Sequence, residues 1–396
     1  MKEAFIRIAP IEEKEPITKI KVVGVGGGGG NALNHMVEEG VDGVEFIAVN
    51  TDSQDLAKSL AGRKVQIGEK LTGGRGTGGQ PERGKAAAEE SADLLADMVK
   101  GANMVFITAG MGGGTGTGAA QIISEVARKA DILTVGVVTT PFKVEGSLKM
   151  KKAMSGIAAL KAHVNSLIII PNEKLRELGG GKMPLREAFR QADSLLLNAV
   201  KGISELIVSP GFMNVDFEDV KTVMNMGGIA IMGMGDGEGE GKALDAVRQA
   251  IEHPLLERKN IQGARGILLN FTCGEDTSVD EITSAVEYLT KEASPEAEIK
   301  FGLVFDDKYQ NKIKVTVVAT GFKEDEVRQA EEASLKDPIQ PFSEDPMVLD
   351  PYSGISTIEN RGNTGALNWG NTPKGFEPKG FETRNLEEPT FLRNKV

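Results

Sequence analysis

Apolar and polar positions along the chain follow two periods that take turns. Residues 103–110, NMVFITAG, are a short apolar run with β-branched Val105, Ile107 and Thr108 between turn formers, the pattern of a buried strand. Just beyond, Ile122, Ile123, Val126, Ala127 and Ala130 recur at helical spacing, so 119–130 predicts an amphipathic helix. The alternation extends to both sides: 19–25, 44–49, 132–139 and 166–170 predict strands, and 32–39, 85–98 and 148–161 predict helices. Strands separated by helices imply an α/β fold with a mostly parallel, Rossmann-like sheet covered on both faces, with ligands at the carboxyl ends of its strands. The loops that carry Gly27, Gly114, Glu145 and Asn172 all follow strands, so they are expected to gather on one edge.

Residues 184–208 keep helical periodicity through Leu185, Phe189, Leu195, Leu196, Val200, Ile203, Leu206 and Ile207. A helix of that length spans about 35 Å, which suits a spine between two domains. Pro210 and Gly211 end it. Asn214, Val215, Asp216, Phe217, Glu218 and Asp219 then open another helix, with Asp216 suited to the N-cap and Asp219 to the first turn. Strand-like runs at 229–234, 266–272, 299–305 and 313–319 alternate with helices at 242–252 and 279–292. They predict a second, smaller α+β domain without a catalytic constellation, in which the GEGEG of 237–241 is a turn.

At 396 residues the chain exceeds what one hydrophobic core usually organises, so two folded domains are expected. The boundaries fall at an N-terminal arm over 1–18, a main domain over 19–183, the spine helix over 184–210 and the smaller domain over 211–321. From 337 onward the composition shifts, with seven of the sixteen prolines falling there and Gly, Asn and Thr between them, and PKGFE occurs twice in tandem within 373–382. Such a stretch cannot bury enough apolar surface to order itself, so 322–386 is expected to be a flexible linker, with a short peptide over 387–396 at its end. The formal net charge of -11 argues against nucleic acid as a partner, since a phosphate backbone calls for a basic surface. Cys273 is the only cysteine, and His35, His163 and His253 are scattered, so neither a disulfide nor a metal site of these residues is expected. No stretch approaches the roughly twenty apolar residues of a membrane span, and the N-terminus, with Glu3, Glu12 and Glu13, is unlike a signal peptide. A cytosolic protein that does not insert into membranes is therefore expected.

The chemistry concentrates in glycine. Between the strand at 103–110 and the helix at 119–130 lies MGGGTGTG, where five glycines and two threonines occupy a strand-to-helix turn. Glycine lets backbone N–H groups approach a ligand closely, and the first N–H groups of the following helix lack internal partners, so an anion, most naturally phosphate, is the expected occupant. The common phosphate loop GxxxxGK[ST] is absent. A second strand, glycine loop and helix unit begins at residue 19 and matches GxGxxG at Gly24, Gly26 and Gly29, with an acidic residue, Asp52, beyond the next strand. That pattern supports a dinucleotide-binding enzyme as the alternative reading, although such a fold has no need of the later glycine loop. Neither 22–57 nor 101–127 contains Lys or Arg, so phosphates there must rely on backbone donors, helix ends and a metal ion. Magnesium, held mainly by phosphates and water, is the expected metal. A third glycine-rich loop, 71–85, has Arg75 at its centre and Pro81 at a helix start; its composition suits a mobile flap over the terminal phosphate.

The loop GMGGGTGTGAA at 110–120 resembles the signature loop of the tubulin and FtsZ superfamily. Further segments make the resemblance to the FtsZ family, the bacterial tubulin-like cell-division GTPases, close over 20–321: GVGGGGGNA at 24–32, VNTD at 49–52, TPFKVEG at 140–146, NVDFEDV at 214–220 and GARG at 263–266. The resemblance implies a GTP-binding domain over 19–183 in which Gly27, Gly28, Gly29, Gly30, Asn31, Gly114, Thr115 and Gly116 contact the phosphates of GTP or GDP. It places Glu145 and Lys149 at the sugar and phosphate region, stacks Phe189 on guanine, and gives the guanine edge to Asn172 and Asp193. A carboxylate at Asp193 also suits guanine by its own chemistry, accepting from the ring N–H and the exocyclic amine. Lys149 stands where Arg is frequent in the family, keeping the charge without the planar fork. In that family the loop with Asn214, Asp216 and Asp219 completes the site of the neighbouring subunit in a head-to-tail homopolymer, so hydrolysis of GTP would depend on assembly. Glu388, Pro389, Thr390, Phe391, Leu392 and Arg393 resemble the C-terminal peptide that docks on membrane tethers and division regulators. The implied role is a filament-forming GTPase of the midcell division ring; a tubulin-like GTPase with a non-division role shares the chemistry.

Overall fold

Strand β1 (Ile20–Val25) is apolar and buried along its whole length, as a central strand covered on both faces must be. The computed structural model describes residues 18–178, 183–208, 211–252 and 261–322. The arm at 1–17, Pro210, His253, the linker from 323 and the terminal peptide around Pro389 to Arg393 lie outside the described residues. After β1 come α1 (Gly26–Glu38), β2 (Val44–Asn50), α2 (Ser53–Ala57), β3 (Arg63–Gln66), α3 (Glu69–Thr72), α4 (Pro81–Glu90), α5 (Ala92–Val99), β4 (Met104–Gly110) and α6 (Thr115–Lys129). Next are β5 (Leu133–Thr140), a 3-10 turn (Lys143–Glu145), α7 (Ser147–Lys161), β6 (Ser166–Pro171), α8 (Asn172–Leu178) and the long α9 (Leu185–Val208). The remainder is α10 (Phe217–Asn225), β7 (Ile229–Glu238), α11 (Lys242–Ile251), β8 (Gly266–Cys273), α12 (Val279–Glu292), β9 (Glu298–Phe305), a second 3-10 turn (Asp307–Tyr309) and β10 (Lys312–Thr320).

The strands form one ten-stranded sheet in the order β3-β2-β1-β4-β5-β6-β7-β10-β8-β9. From β3 to β7 every pairing is parallel, whereas β10 runs antiparallel to both β7 and β8. The two halves meet at β6 and β7, which pair only at Leu167 with Ile229 and Ile168 with Ala230. The smaller half is therefore a continuation of the main sheet. Helix α9 packs Leu195, Leu196, Val200, Ile203 and Leu206 into a core shared with Val22, Phe106 and Val135 of the main half and with Met232, Leu268 and Val318 of the smaller one. On the opposite face α4 to α7 cover Val23, Val105 and Ile107. Helices α11 and α12 close a third core over β8, β9 and β10.

Three local expectations change. The helices after both glycine loops start earlier than their apolar periodicity: α1 begins at Gly26 and α6 at Thr115, so most of these glycines lie in the first turns. A glycine surface has no apolar period to read. The helix expected over 85–98 is two helices parted at Ser91, whose hydroxyl accepts a hydrogen bond from the Gly68 N–H at 3.0 Å. The GEGEG stretch is a turn only in its second part, because β7 runs on through Gly237 and Glu238 against β10.

Candidate nucleotide site

Helices α1 and α6 both begin without a side-chain cap and without an acidic residue in the first turn. Their first N–H groups and the positive ends of their dipoles are thus left for an external anion. The two starts are pressed together. Gly26 has φ +70°, and a Cβ there would stand 2.8 Å from the Gly116 nitrogen, so both the conformation and the approach require glycine. Gly112, at φ +97°, turns the chain out of β4, and its N–H donates to the Thr117 hydroxyl at 2.9 Å.

Around these starts the carboxyl ends of β6, β5, β4, β1 and β2 open into a hollow of about 550 Å³. Gly27, Gly28, Asn31, Gly114, Thr115 and Gly116 line its middle, Glu145 and Lys149 one wall, and Asn172, Phe189 and Asp193 one end. Those loops gather on one edge, as expected from a parallel sheet. Gly29 and Gly30 do not line it. Gly29 faces the sheet, where a Cβ would stand 2.3 Å from the Thr108 carbonyl oxygen, and Gly30 lines a smaller adjoining hollow that shares Gly27, Asn31 and Asp55 with the first.

Each side chain at the base end is positioned by its element. Asn172, first residue of α8, is 4% exposed, and its Oδ1 has no hydrogen-bond partner within the described residues. A buried orphan acceptor facing a hollow suits a ligand that donates. Asp193 lies one turn after Phe189 on α9, and burial pushes its carboxyl up to about 7. Phe189 is 41% exposed and is held edge-on by buried Phe142 at 5.1 Å between ring centres, leaving ring surface at the rim. Glu145 accepts from the Phe142 N–H at 2.9 Å and pairs with Lys149 one helical turn later.

Several lining residues lie outside the individual site residues named from the sequence, although the third glycine loop as a whole is expected over the terminal phosphate. Asn50, Asp52 and Asp55 reach the hollow from the end of β2, and Arg75, Gly76, Thr77, Gly78 and Gly79 from the third glycine loop. Asp52 showed only as the acid beyond a second strand, and its Oδ1 caps α2 by accepting from Gln54 and Asp55 N–H groups. The loop expected to be a mobile flap is tied at both ends: Gly76 N–H donates to Thr51, Ser53 N–H to Gly74, and Lys152 to the Gly79 carbonyl at 2.6 Å. Thr77 packs against Gly114, where a Cβ would fall 1.9 Å from its hydroxyl oxygen. The first two glycine loops carry no cation of their own, but folding brings Arg75 of the third loop and Lys149 to the lining.

Asn214, Asp216 and Asp219 line none of this hollow. Asp216 caps α10, Asp219 pairs with Lys300 at 2.7 Å, and Asn214 Oδ1 accepts from the Gly211 N–H at 2.9 Å. They follow the far end of α9, whose turns at Phe189, Asp193 and Leu196 line the hollow.

The donor set fits a purine nucleotide. Open helix starts receive phosphates, an exposed ring offers a stacking face, and an acid beside an amide can read a base edge. Among the described residues no group of three or more His, Cys, Asp or Glu could hold a metal ion, and no helix is long and apolar enough to cross a membrane. The chain matches the GTPase domain of the Tubulin/FtsZ family over residues 19–180 and the C-terminal domain of the FtsZ family over residues 228–323. It is similar to FtsZ from M. jannaschii, solved as an empty dimer, with 44% identity and TM-score 0.74 over 78% of this chain and 89% of that one. A mutant of the same protein matches at 44% identity and TM-score 0.73, over 77% of this chain and 91% of that one. The fold alone extends to a GTPγS-bound protofilament of CetZ2 from Haloferax volcanii, at 20% identity and TM-score 0.64 over 80% of this chain and 100% of that one. The dinucleotide-enzyme alternative falls away with these matches, and the chain belongs to the Tubulin/FtsZ family of GTPases, on its FtsZ side.

Proposed function

We propose that this GTPase forms filaments in cell division and turns over GTP at the head-to-tail contact between subunits. The observation that carries the reading is the separation of two functional ends along α9. From Asp193 at the hollow to Val208 the helix runs about 22 Å, and the exposed Asn214 and Asp216 follow beyond it. A subunit stacked on the next would set that acidic loop over its neighbour's nucleotide. Apolar surface stands at both ends: Val144 is 80% exposed and Leu148 67% at the hollow's rim, and Phe212 is 73% exposed beside Asn214. Such a contact is heterologous and does not close, so open filaments follow. The M. jannaschii FtsZ dimer supports self-association.

Within one subunit the α1 and α6 starts hold the phosphates, Glu145 and Lys149 flank the sugar and phosphate region, Phe189 stacks on guanine, and Asn172 and Asp193 read its edge. From the next subunit Asp216 and Asp219, assisted by Asn214, orient and polarise the attacking water, while backbone donors stabilise the transferring phosphoryl group. The oxygen donors at the β2 end, Asp52, Asp55 and the Thr115 hydroxyl, fit a magnesium ion held mainly by phosphates and water. When bound, such an ion would supply charge neutralisation at the terminal phosphate. The peptide from Pro389 to Arg393 would tether filaments to membrane-bound partners and regulators at the division site, in the cytoplasm.

Asp52 and Asp55 on the lining favour a second reading, in which each subunit cuts its own GTP. Turnover measured against protein concentration separates the two. Catalysis across subunits predicts a threshold and then a steep rise, with sedimenting polymer appearing at the same concentration; a straight line through the origin would refute it.

A further inference from the structure

We propose that Arg75 is the cation that reads the terminal phosphate, and that this residue sets the preference of the hollow for a guanosine triphosphate over a diphosphate. The proposal rests on the nucleotide reading given above. Strand order gives the hollow a direction. Asn172 follows β6, Thr140 ends β5, Gly113 follows β4, Gly27 follows β1 and Asp52 follows β2, and these strands are successive neighbours in the sheet. Four strand spacings make roughly 19 Å, enough to lay a nucleotide across the edge. With the base against α9 at the β6 end, the last phosphate comes to the β2 end.

Arg75 stands at that end, where it forms an antiparallel bridge with Asp52. Its loop is anchored by the Gly76 and Ser53 N–H bonds on one side and by Lys152 on the other, so the side chain is presented from a fixed base. The guanidinium lies over Gly73, within 3.8 Å of where a Cβ would be. It is exposed, and among the described residues Arg75 has neither an ion pair nor a side-chain hydrogen bond. Lys149, the other cation on the lining, is already paired with Glu145. Arg75 is thus the uncommitted positive charge of the hollow.

The surrounding charge makes that cation matter. Asp52 lines the same end, and an Asp55 carboxylate oxygen lies 3.1 Å from where a Cβ of Gly27 would be. A terminal phosphate entering between these carboxylates meets repulsion that backbone N–H groups and a magnesium ion held mainly by phosphates and water offset only in part. A guanidinium fork gives it two charge-assisted hydrogen bonds. The inner phosphates lie on the open starts of α1 and α6, so a diphosphate forgoes Arg75 and keeps the rest.

The test compares equilibrium binding of GTPγS and GDP to the full chain below its assembly concentration, for wild type, Arg75→Gln and Arg75→Lys. Loss of a charge-assisted bond predicts that Arg75→Gln weakens GTPγS roughly tenfold or more and leaves GDP within about twofold, with Arg75→Lys between. Equal weakening of both nucleotides, or of neither, would overturn the proposal and leave the nucleotide reading standing. A wild-type chain that bound neither nucleotide would remove both. Unchanged thermal unfolding of Arg75→Lys shows that its altered ratio reports binding and not a disturbed loop.

Discussion

The Asp216 carboxylate accepts a hydrogen bond from the backbone N–H of Asp219 at 2.7 Å, so one proposed catalytic residue holds the start of the helix that presents the other. A single substitution at Asp216 would therefore mix two effects. Asparagine keeps a capping oxygen and removes the charge, whereas alanine removes both. Asp216→Asn is expected to bind GTP and assemble like wild type with turnover lost. Asp216→Ala should lose turnover and in addition about 1 kcal/mol of stability. Phosphate release and chemical denaturation on the two variants check this; a fully active Asp216→Asn would remove the residue from the mechanism.

In the proposed site, Asp193 is expected to make guanine binding dependent on pH. Its carboxyl is pushed by burial from 3.8 up to about 7, so at pH 6 the nucleotide-free protein holds it mostly protonated. In the proposed pose guanine presents donors to it and needs the carboxylate. Affinity should therefore weaken as pH falls below about 7, approaching tenfold per pH unit. Asp193→Asn should weaken binding at pH 8 and flatten that dependence. For the nucleotide-free fold the sign is opposite: an acid whose folded value is raised favours folding at low pH, and that advantage is lost as pH rises from about 4 through about 7. Calorimetric titration and melting curves across this window measure the two slopes, and parallel slopes in wild type and Asp193→Asn would contradict the assignment.

Phe212 and Phe305 meet at a tilt of 53°, 5.4 Å between ring centres, on the surface beside the Asn214 loop. Two exposed aromatics in contact are costly to leave in water and serve well as contact anchors. Phe212→Asp should raise the concentration needed for assembly at least tenfold and leave GTP affinity of the dilute chain unchanged. Sedimentation over a concentration series reads the first quantity and nucleotide competition the second; assembly at the wild-type concentration would exclude this surface from the filament contact.

The two glycine loops, their strands and the helices behind them were legible because backbone conformation and helix-end electrostatics are local properties. So was the capping role of Asp216, which needs only its own turn. The exact starts of α1 and α6 were not, since glycine-rich turns bury no periodic apolar face. Ser91 shows why a long helical pattern could be two helices: its hydroxyl is recruited by Gly68, which is remote in sequence and next to it in space.

The chain by itself determined an alternating α/β order, glycine-rich helix starts without nearby cations and an acidic loop after a long helix. Each is written in a contiguous stretch and obeys short-range sterics and charge. Only the tertiary structure decided that Asp52, Asp55 and Arg75 share the hollow with Gly27, that Gly29 turns away toward Thr108, and that Asp219 meets Lys300. Those contacts depend on the order in which strands pair. That order is settled by burying one shared core beneath α9, which no short stretch of the chain encodes.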